Sequence, residues 1–327
     1  MVDADRARVA VERGSWIPND AVVDILGGVG HWKKGSDVLG IIGGSGLYDI
    51  PELEVLERRA VSTPYGSPSD ALILGRIGGN DVVFLARHGA GHRFTPTELP
   101  YQANIYALKA LGVTHLLTIS AVGSLREHLP PLTIVQPDQI IDRTVGRPRS
   151  FFGEGVVAHV GIAEPYCDVF GQAVAAASAR AGRSVVRGGT YLCIEGPQFS
   201  TRAESMLFRS WGCSVIGMTA MPEARLAREG ELCYSTLAMV TDFDVWHETE
   251  DAVHVDLVRE YLHLNTAAAR EIVVEIVTNG SLPERSCPCR DALASAIITA
   301  PDAISLETRE RLGIIAGRYL PGATDQQ

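Results

Sequence analysis

The chain has 327 residues, 46% of them hydrophobic, and a formal net charge of −10. Such a chain can bury a full core, and its acidic balance argues against a nucleic-acid binder, whose phosphate contacts need a basic face. No run reaches the roughly 18 apolar residues of a membrane span. The N-terminal MVDADRARVAVERGSW has acids beside its cations and no apolar stretch, unlike a secretory signal, so the expected compartment is the cytoplasm.

Residues 1–36 read as an N-terminal extension: 5–13 have helical character, but Gly27-Gly28-Val29-Gly30 and Lys33-Lys34-Gly35-Ser36 read as loop. The first strand is predicted at 37–42 and ends in Gly43-Gly44-Ser45-Gly46. Strands at 71–77 and 81–86 flank a hairpin-type turn, Gly78-Gly79-Asn80, and Arg87-His88-Gly89-Ala90-Gly91-His92 leaves the second. Helical spacing over 100–111 stops at Gly112. A strand at 115–119 delivers Ser120-Ala121-Val122-Gly123-Ser124, a further strand region covers 132–135 and 139–141, and an alanine-rich helix at 164–181 stops at Gly182.

Three strand-like runs follow, at 191–194, 214–218 and 234–240, each emptying into a polar tip. The tips are Glu195-Gly196-Pro197-Gln198-Phe199-Ser200, then Thr219, then Thr241-Asp242-Phe243-Asp244. Helices at 202–211 and 222–229 separate them, the second with proline in its first turn. A long amphipathic helix is predicted at 255–277, and two more at 290–299 and 306–316. The alternation predicts a single α/β domain over 37–280, with a mixed, largely parallel central sheet flanked by helices. Residues 281–327 form a C-terminal extension. Sheets of this kind bind ligands outside their strand ends.

Each tip has an ordinary reading beside a chemical one. Gly43-Gly44-Ser45-Gly46 offers converging N–H groups and a hydroxyl, as a phosphate cradle does, or it is a tight turn. It lacks the lysine of a P-loop. Arg87-His88 sets a phosphate-matching guanidinium fork beside an imidazole donor; the alternative is a surface arginine with a structural histidine. His88 and His92 are four apart, but Gly-Ala-Gly between them disfavours a helix, so no metal is expected there. With Ser120, Ala121 and Thr219 added, four strand ends offer donors to one oxyanion.

Asp242 and Asp244 flank Phe243, and alternation puts both carboxylates on one side. Beside a purine, a protonated aspartate would donate to a ring nitrogen and its neighbour would accept from an exocyclic amine. A capping aspartate with a solvated one is the ordinary reading. Cys167, Cys193, Cys213 and Cys233 lie in or beside apolar runs and read as buried thiols. Cys287-Pro288-Cys289 is too sparse for zinc by itself, since no second Cys or His pair follows it. A redox or structural disulfide is the sharper reading.

These motifs also resemble a known family. Ile41-Ile42-Gly43-Gly44-Ser45-Gly46, Thr63-Pro64-Tyr65-Gly66, Leu85-Ala86-Arg87-His88-Gly89 and Tyr101-Gln102-Ala103-Asn104 occur in order. Ala121-Val122-Gly123-Ser124-Leu125-Arg126, Ile194-Glu195-Gly196-Pro197-Gln198-Phe199-Ser200-Thr201 and Thr241-Asp242-Phe243-Asp244 complete the set. Over about residues 38–278 the chain resembles the 5′-methylthioadenosine phosphorylase branch of the trimeric purine nucleoside phosphorylase family.

The resemblance implies phosphorolysis: orthophosphate attacks the anomeric carbon of the thiosugar and adenine leaves. It implies a phosphate pocket of Ser45, Arg87, His88, Ser120, Ala121 and Thr219. The family often has threonine where Ser45 and Ser120 stand, and the hydroxyl is kept. Phe199 would stack on the nucleoside, Met218 would meet the ribosyl hydroxyls, and Phe243 belongs to the substrate-binding set. Asp242 would protonate N7, with its pKa raised by burial and by Asp244, and Asp244 would accept from the N6 amine. Ser200 leaves room beside the base, Val255 and Val258 wall the 5′ group, and His159 arrives from a neighbouring subunit of a trimer or dimer of trimers. Neither cofactor nor metal is implied; orthophosphate is a co-substrate. The Cys-x-Cys further resembles a heat-stable archaeal-type branch in which it forms disulfides. The alternatives are a purine nucleoside phosphorylase of broad or 6-oxopurine preference, a hydrolytic nucleosidase, and a nucleoside-binding protein without catalysis.

Overall fold

The computed structural model describes residues 37–44, 46–47, 49–247, 255–280 and 282–320, with side chains from 260 onward in the segment that begins at 255. The readings made for residues 1–36, Ser45 and the side chains of Val255 and Val258 therefore lie outside the described residues. The chain runs β1 (Val38–Gly43), β2 (Glu54–Arg59), β3 (Leu72–Ile77), β4 (Asn80–Ala86), α1 (Tyr101–Ala110) and β5 (Val113–Ser124). It continues through β6 (Ile134–Gln136), β7 (Gln139–Arg143), α2 (Asp168–Arg180), β8 (Val185–Arg187), β9 (Thr190–Ile194) and α3 (Arg202–Ser210). Then come β10 (Val215–Gly217), α4 (Ala220–Glu229), β11 (Cys233–Asp242), α5 (Val255–Thr278), α6 (Leu306–Arg311) and α7 (Gly313–Ala316).

The strands make one 11-stranded sheet. Pairings of β1 with β4 and β5, β11 with β5, β9 with β7 and β10, and β6 with β8 are parallel; the rest are antiparallel. Period-two alternation feeds two cores. Val83 and Leu85 of β4 pack with α1 and α4 on one face, while Val82 and Phe84 pack with α2 and α5 on the other. Strands covered on both faces read as continuous apolar runs, as VLGIIG in β1 does with all six residues buried.

β5 positions the cavity. Its first half pairs with β1 as far as Ile42↔Thr118, and its last residues pair antiparallel with β10 at Gly123 and Ser124. Between those points one edge of β5 has parted from β1 and has not yet met β10. The chain leaving β1 and the chain leaving β10 both arrive at that gap.

Several elements depart from the sequence reading. The strand expected at 115–119 runs on to Ser124, because β11 keeps it paired along Ser120–Gly123. β2, sequence EVLERR, is a charged and mostly exposed edge strand, so it lacks the apolar pattern that marks the inner strands. The short β8 was also absent from that reading. The helix expected at 164–181 begins at Asp168, where the Cys167 sulfur accepts the Phe170 N–H. The helix expected at 290–299 does not form: after a 3₁₀ turn at Pro288–Asp291 the segment bonds sideways to residues 157–159. His159 N–H donates to Ala296 O at 2.9 Å and Ile298 N–H to Val157 O at 3.0 Å, so tertiary pairing overrides local propensity. The helix expected at 306–316 is broken into α6 and α7. Leu293, Leu312, Ile315 and Leu320 are buried in the same core as α1. No helix among the described residues is long and apolar enough to cross a membrane.

Candidate active site

A cavity of about 720 Å³ opens in the gap along β5. Gly44, Gly46, Arg87, His88, Ser120, Ala121, Met218, Thr219, Phe199, Ser200, Asp242 and Asp244 all line it. Residues from the ends of five strands and from the middle of β5 thus face one space.

One end is rich in donors. The odd-numbered residues of β5 turn their backbone groups to the gap side: Ile119 O accepts from Arg87 and Gly123 pairs with β10. Alternation places the Ala121 N–H on that same edge. Arg87 is only 3% exposed and closes the edge of the gap. Its Nε and Nη2 donate to the two Glu223 oxygens at 2.6 and 3.2 Å, Nη1 to Ile119 O at 2.8 Å, and Nη2 to Ile42 O at 3.4 Å. Burial opposes the charge, and Glu223 more than restores it, so the Arg87 pKa ends above its ordinary value. The fork expected to face an anion is therefore turned on Glu223, and four of the five guanidinium N–H groups are engaged.

His88 donates Nδ1–H to the Phe94 carbonyl at 2.9 Å and stacks on His92 with ring centroids 4.1 Å apart. Burial, aided by Arg87 and His92, lowers its pKa to about 4 against the pull of that carbonyl. The ring is then neutral near pH 7, with Nε2 left as an acceptor rather than the donor expected. The Gly44–Leu47 turn closes with Leu47 N–H on Gly44 O, and Arg270 of α5 holds Gly46 O at 2.9 Å.

The other end is acidic. Asp242 accepts Thr241 Oγ1–H at 2.7 Å on Oδ2 and the Asp244 N–H at 2.8 Å on Oδ1. That second bond folds the chain back at Asp244, which adopts φ 53°. Burial, then the neighbouring Asp242 charge, raises the Asp244 pKa to about 6 against the help of Ser205. Asp244 Oδ2 and the Ser200 hydroxyl are buried without hydrogen-bond partners among the described residues. Gly123 permits this approach: a Cβ there would sit 3.0 Å from Asp242 Oδ1 and 3.3 Å from Asp244 Cβ.

Not every expected residue faces the cavity. Phe243, between two inward acids, points the opposite way and packs edge-on against Trp246 at 5.7 Å in a separate apolar cluster. His159 is exposed and lies in the loop paired with Ala296, outside the cavity lining of its own chain. Phe199 is 68% exposed at the mouth. Two residues with structural command of the site were not singled out from sequence. Glu223 is one. Arg147 is the other: Nη1 donates to Met218 O and Met221 O, both at 2.6 Å, and Nη2 to Glu195 O at 2.5 Å. Glu195 itself turns away from the cavity toward Thr97, Val145 and Arg147. Neither residue sits in a local pattern that marks it.

Residues 38–278 match the family model described as the phosphorylase superfamily. The chain belongs to that superfamily. Its relatives include the S-methyl-5'-thioadenosine phosphorylase of Geobacter sulfurreducens, 52% identical over 284 residues that cover 86% of this chain and 99% of the relative. The S-methyl-5'-thioadenosine phosphorylase of Chloroflexus aurantiacus is 51% identical over 286 residues, 87% of this chain and 99% of the relative. Among solved structures, a methylthioadenosine phosphorylase from an antarctic soil metagenomic library aligns with TM-score 0.82 at 46% identity, over 86% of this chain and 99% of that one. The methylthioadenosine phosphorylase of Schistosoma mansoni in complex with adenine aligns with TM-score 0.74 at 37% identity, over 79% of this chain and 97% of that one.

Two outcomes follow for this superfamily member. A carboxyl with a raised pKa binds its proton more tightly folded than unfolded, so its penalty on stability appears as pH rises from about 4 through about 6. Asp244→Asn is expected to be more stable than the parent by up to about 3 kcal/mol near pH 7.5, the gain vanishing near pH 4; urea melts at the two pH values check this. Gly123→Ala must displace both acids by a few tenths of an ångström, and phosphorolytic turnover is expected to fall roughly tenfold or more, measured as base release under saturating phosphate.

Proposed function

We propose that the chain catalyses phosphorolysis of 5′-methylthioadenosine to adenine and 5-methylthioribose 1-phosphate, in purine and methionine salvage in the cytoplasm. The observation that carries this reading is the shared cavity, with a donor-rich edge at one end and, at the other, a half-buried acid pair in which Asp244 Oδ2 has no hydrogen-bond partner among the described residues. In this reading orthophosphate is the second substrate, and the chain's own groups carry each step.

Phosphate takes the open edge of β5, where the Ala121 N–H, the Ser120 and Thr219 hydroxyls and the remaining Arg87 N–H converge. Ser45 is assigned to the same set. Because the Phe94 carbonyl fixes the His88 tautomer, Nε2 accepts the hydroxyl of hydrogen phosphate. The bond to adenine breaks through an oxocarbenium-like state, and an anion below the sugar stabilises that charge. The acid pair takes up one proton when the nucleoside binds; Asp242 carries it and delivers it to N7 while Asp244 stays ionised, the kind of general-acid help typically worth about 10²–10⁴ in rate. Asp244 Oδ2 accepts from the N6 amine. A 6-oxopurine would face that oxygen with a carbonyl and leave it unpaired, a loss of about 1–3 kcal/mol or more; this weighs against the 6-oxopurine reading.

Phe199 stacks on the base, Ser200 gives it room, and Met218 meets the ribosyl hydroxyls. Val255 and Val258 wall the 5′ group, and His159 reaches the site of a neighbouring subunit in a homotrimer or dimer of trimers.

Base release from 5′-methylthioadenosine is expected to require phosphate and to outpace release from inosine; faster inosine cleavage would favour the 6-oxopurine enzyme, and undiminished rates without phosphate a hydrolase. Asp242→Asn is expected to keep adenine binding and lose at least about tenfold in turnover. Glu223→Gln leaves Arg87 buried without its counter-ion, at a cost of about 3–5 kcal/mol. Added phosphate should then raise the melting temperature of this variant more than that of the parent. Equal shifts would detach Arg87 from the anion.

A further inference from the structure

Four cysteines from three separate parts of the chain meet at the end of β11 remote from the cavity. Cys167 caps α2, Cys233 opens β11, and Cys287 and Cys289 flank Pro288 in the C-terminal segment. Their sulfurs all lie within 4.8 Å of one another, and all four residues are buried. The Cys233 and Cys287 sulfurs are 3.4 Å apart. In sequence the Cys-x-Cys was one ligand pair short of a metal set. The fold supplies that pair from residues that read as ordinary core thiols.

We propose that these four thiolates hold a structural zinc ion. Tetrahedral zinc binds cysteine sulfur at about 2.3 Å, which sets the sulfurs about 3.8 Å from one another. The sulfur separations, none above 4.8 Å and one of 3.4 Å, lie within about 1 Å of that value. Four soft ligands and no open position suit a closed structural site rather than a catalytic one. The surroundings suit the net charge of −2 on a zinc tetrathiolate. The Phe170 N–H and Arg228 Nη1 each point at a sulfur, Cys167 and Cys289 respectively, at 3.5 Å, as donors around ligating thiolates do. Cys167 also stands at the N-terminus of the 13-residue helix α2, whose dipole favours an anionic sulfur. Binding one Zn²⁺ to four thiols releases four protons and moves no electrons.

The segment after α5 forms no strand among its described residues, only 3₁₀ turns and two short helices. The ion fastens this segment to α2 and β11. Cys233 and Asp242 are the two ends of β11, about 30 Å apart along the strand, so the site stands independently of the nucleoside reading.

Full-length protein, purified anaerobically without chelator or reductant after growth with zinc, is expected to carry about one zinc per chain by elemental analysis. Cobalt in its place is expected to show thiolate charge transfer and tetrahedral ligand-field bands. A Cys287→Ser/Cys289→Ser double variant is expected to fall below about a tenth of an ion per chain and to melt more than about 5 °C lower, with kcat unchanged. Should that variant not fold, organomercurial titration of the parent is expected to release the zinc as four thiols are consumed. Metal-free parent protein overturns the proposal, as do zinc retained by the folded double variant and an intact mass lighter by two or four hydrogens, the sign of disulfides.

Discussion

An unpaired stretch of strand edge is the constraint from which the rest of the site follows. Backbone donors and acceptors inside a protein are costly when left unmade, and β5 leaves some between its pairing with β1 and its pairing with β10. Arg87 satisfies part of that edge by bonding Ile119 O and Ile42 O across the gap. A guanidinium so deeply buried needs an anion, and Glu223 provides it. Among the described residues, what remains of the edge for a ligand is about one N–H from the strand and one from the arginine. The same bonds that make the gap tolerable in the folded protein also shape its donor pattern.

The acid pair obeys the opposite logic. Nothing in the described residues satisfies Asp244 Oδ2, and its backbone sits in the left-handed region, which favours glycine. Thr241 and the Asp244 N–H hold Asp242 in place, while Gly123 gives both acids room. Stability is given up locally to hold a carboxylate oxygen away from protein donors, a trade expected where function needs a poised group.

Much of this was legible in the sequence because it is local. Apolar strands with polar tips, such as VLGIIG before Gly44 and Tyr234–Val240 before Asp242, announce both the buried sheet and the end that carries chemistry. What was not legible depends on distant partners. Arg87 and Glu223 are 136 residues apart, and each alone looks like a surface charge. Arg147 bonds carbonyls of tips 48 and 71 positions away. The 3₁₀ turn and sideways pairing that replace the helix expected at 290–299 are set by contacts with residues 157–159, which no local propensity encodes. Phe243 lies off the cavity lining for a different reason: its two neighbours face inward and its own ring packs on the other side.

Arg147 extends the link between two neighbouring strands out into the tips that leave them. One planar cation grips the backbone where β9 runs into the 195–201 loop and again where β10 runs into Met218. The tip beside the base-side loop and the tip beside the anion edge are thus clamped to a single rigid plate. Ordering either tip restricts the other through Arg147 as well as through the pairing of β9 with β10, without a hinge or a moving domain. The two substrates of such a cavity would each find it better formed once the other has arrived.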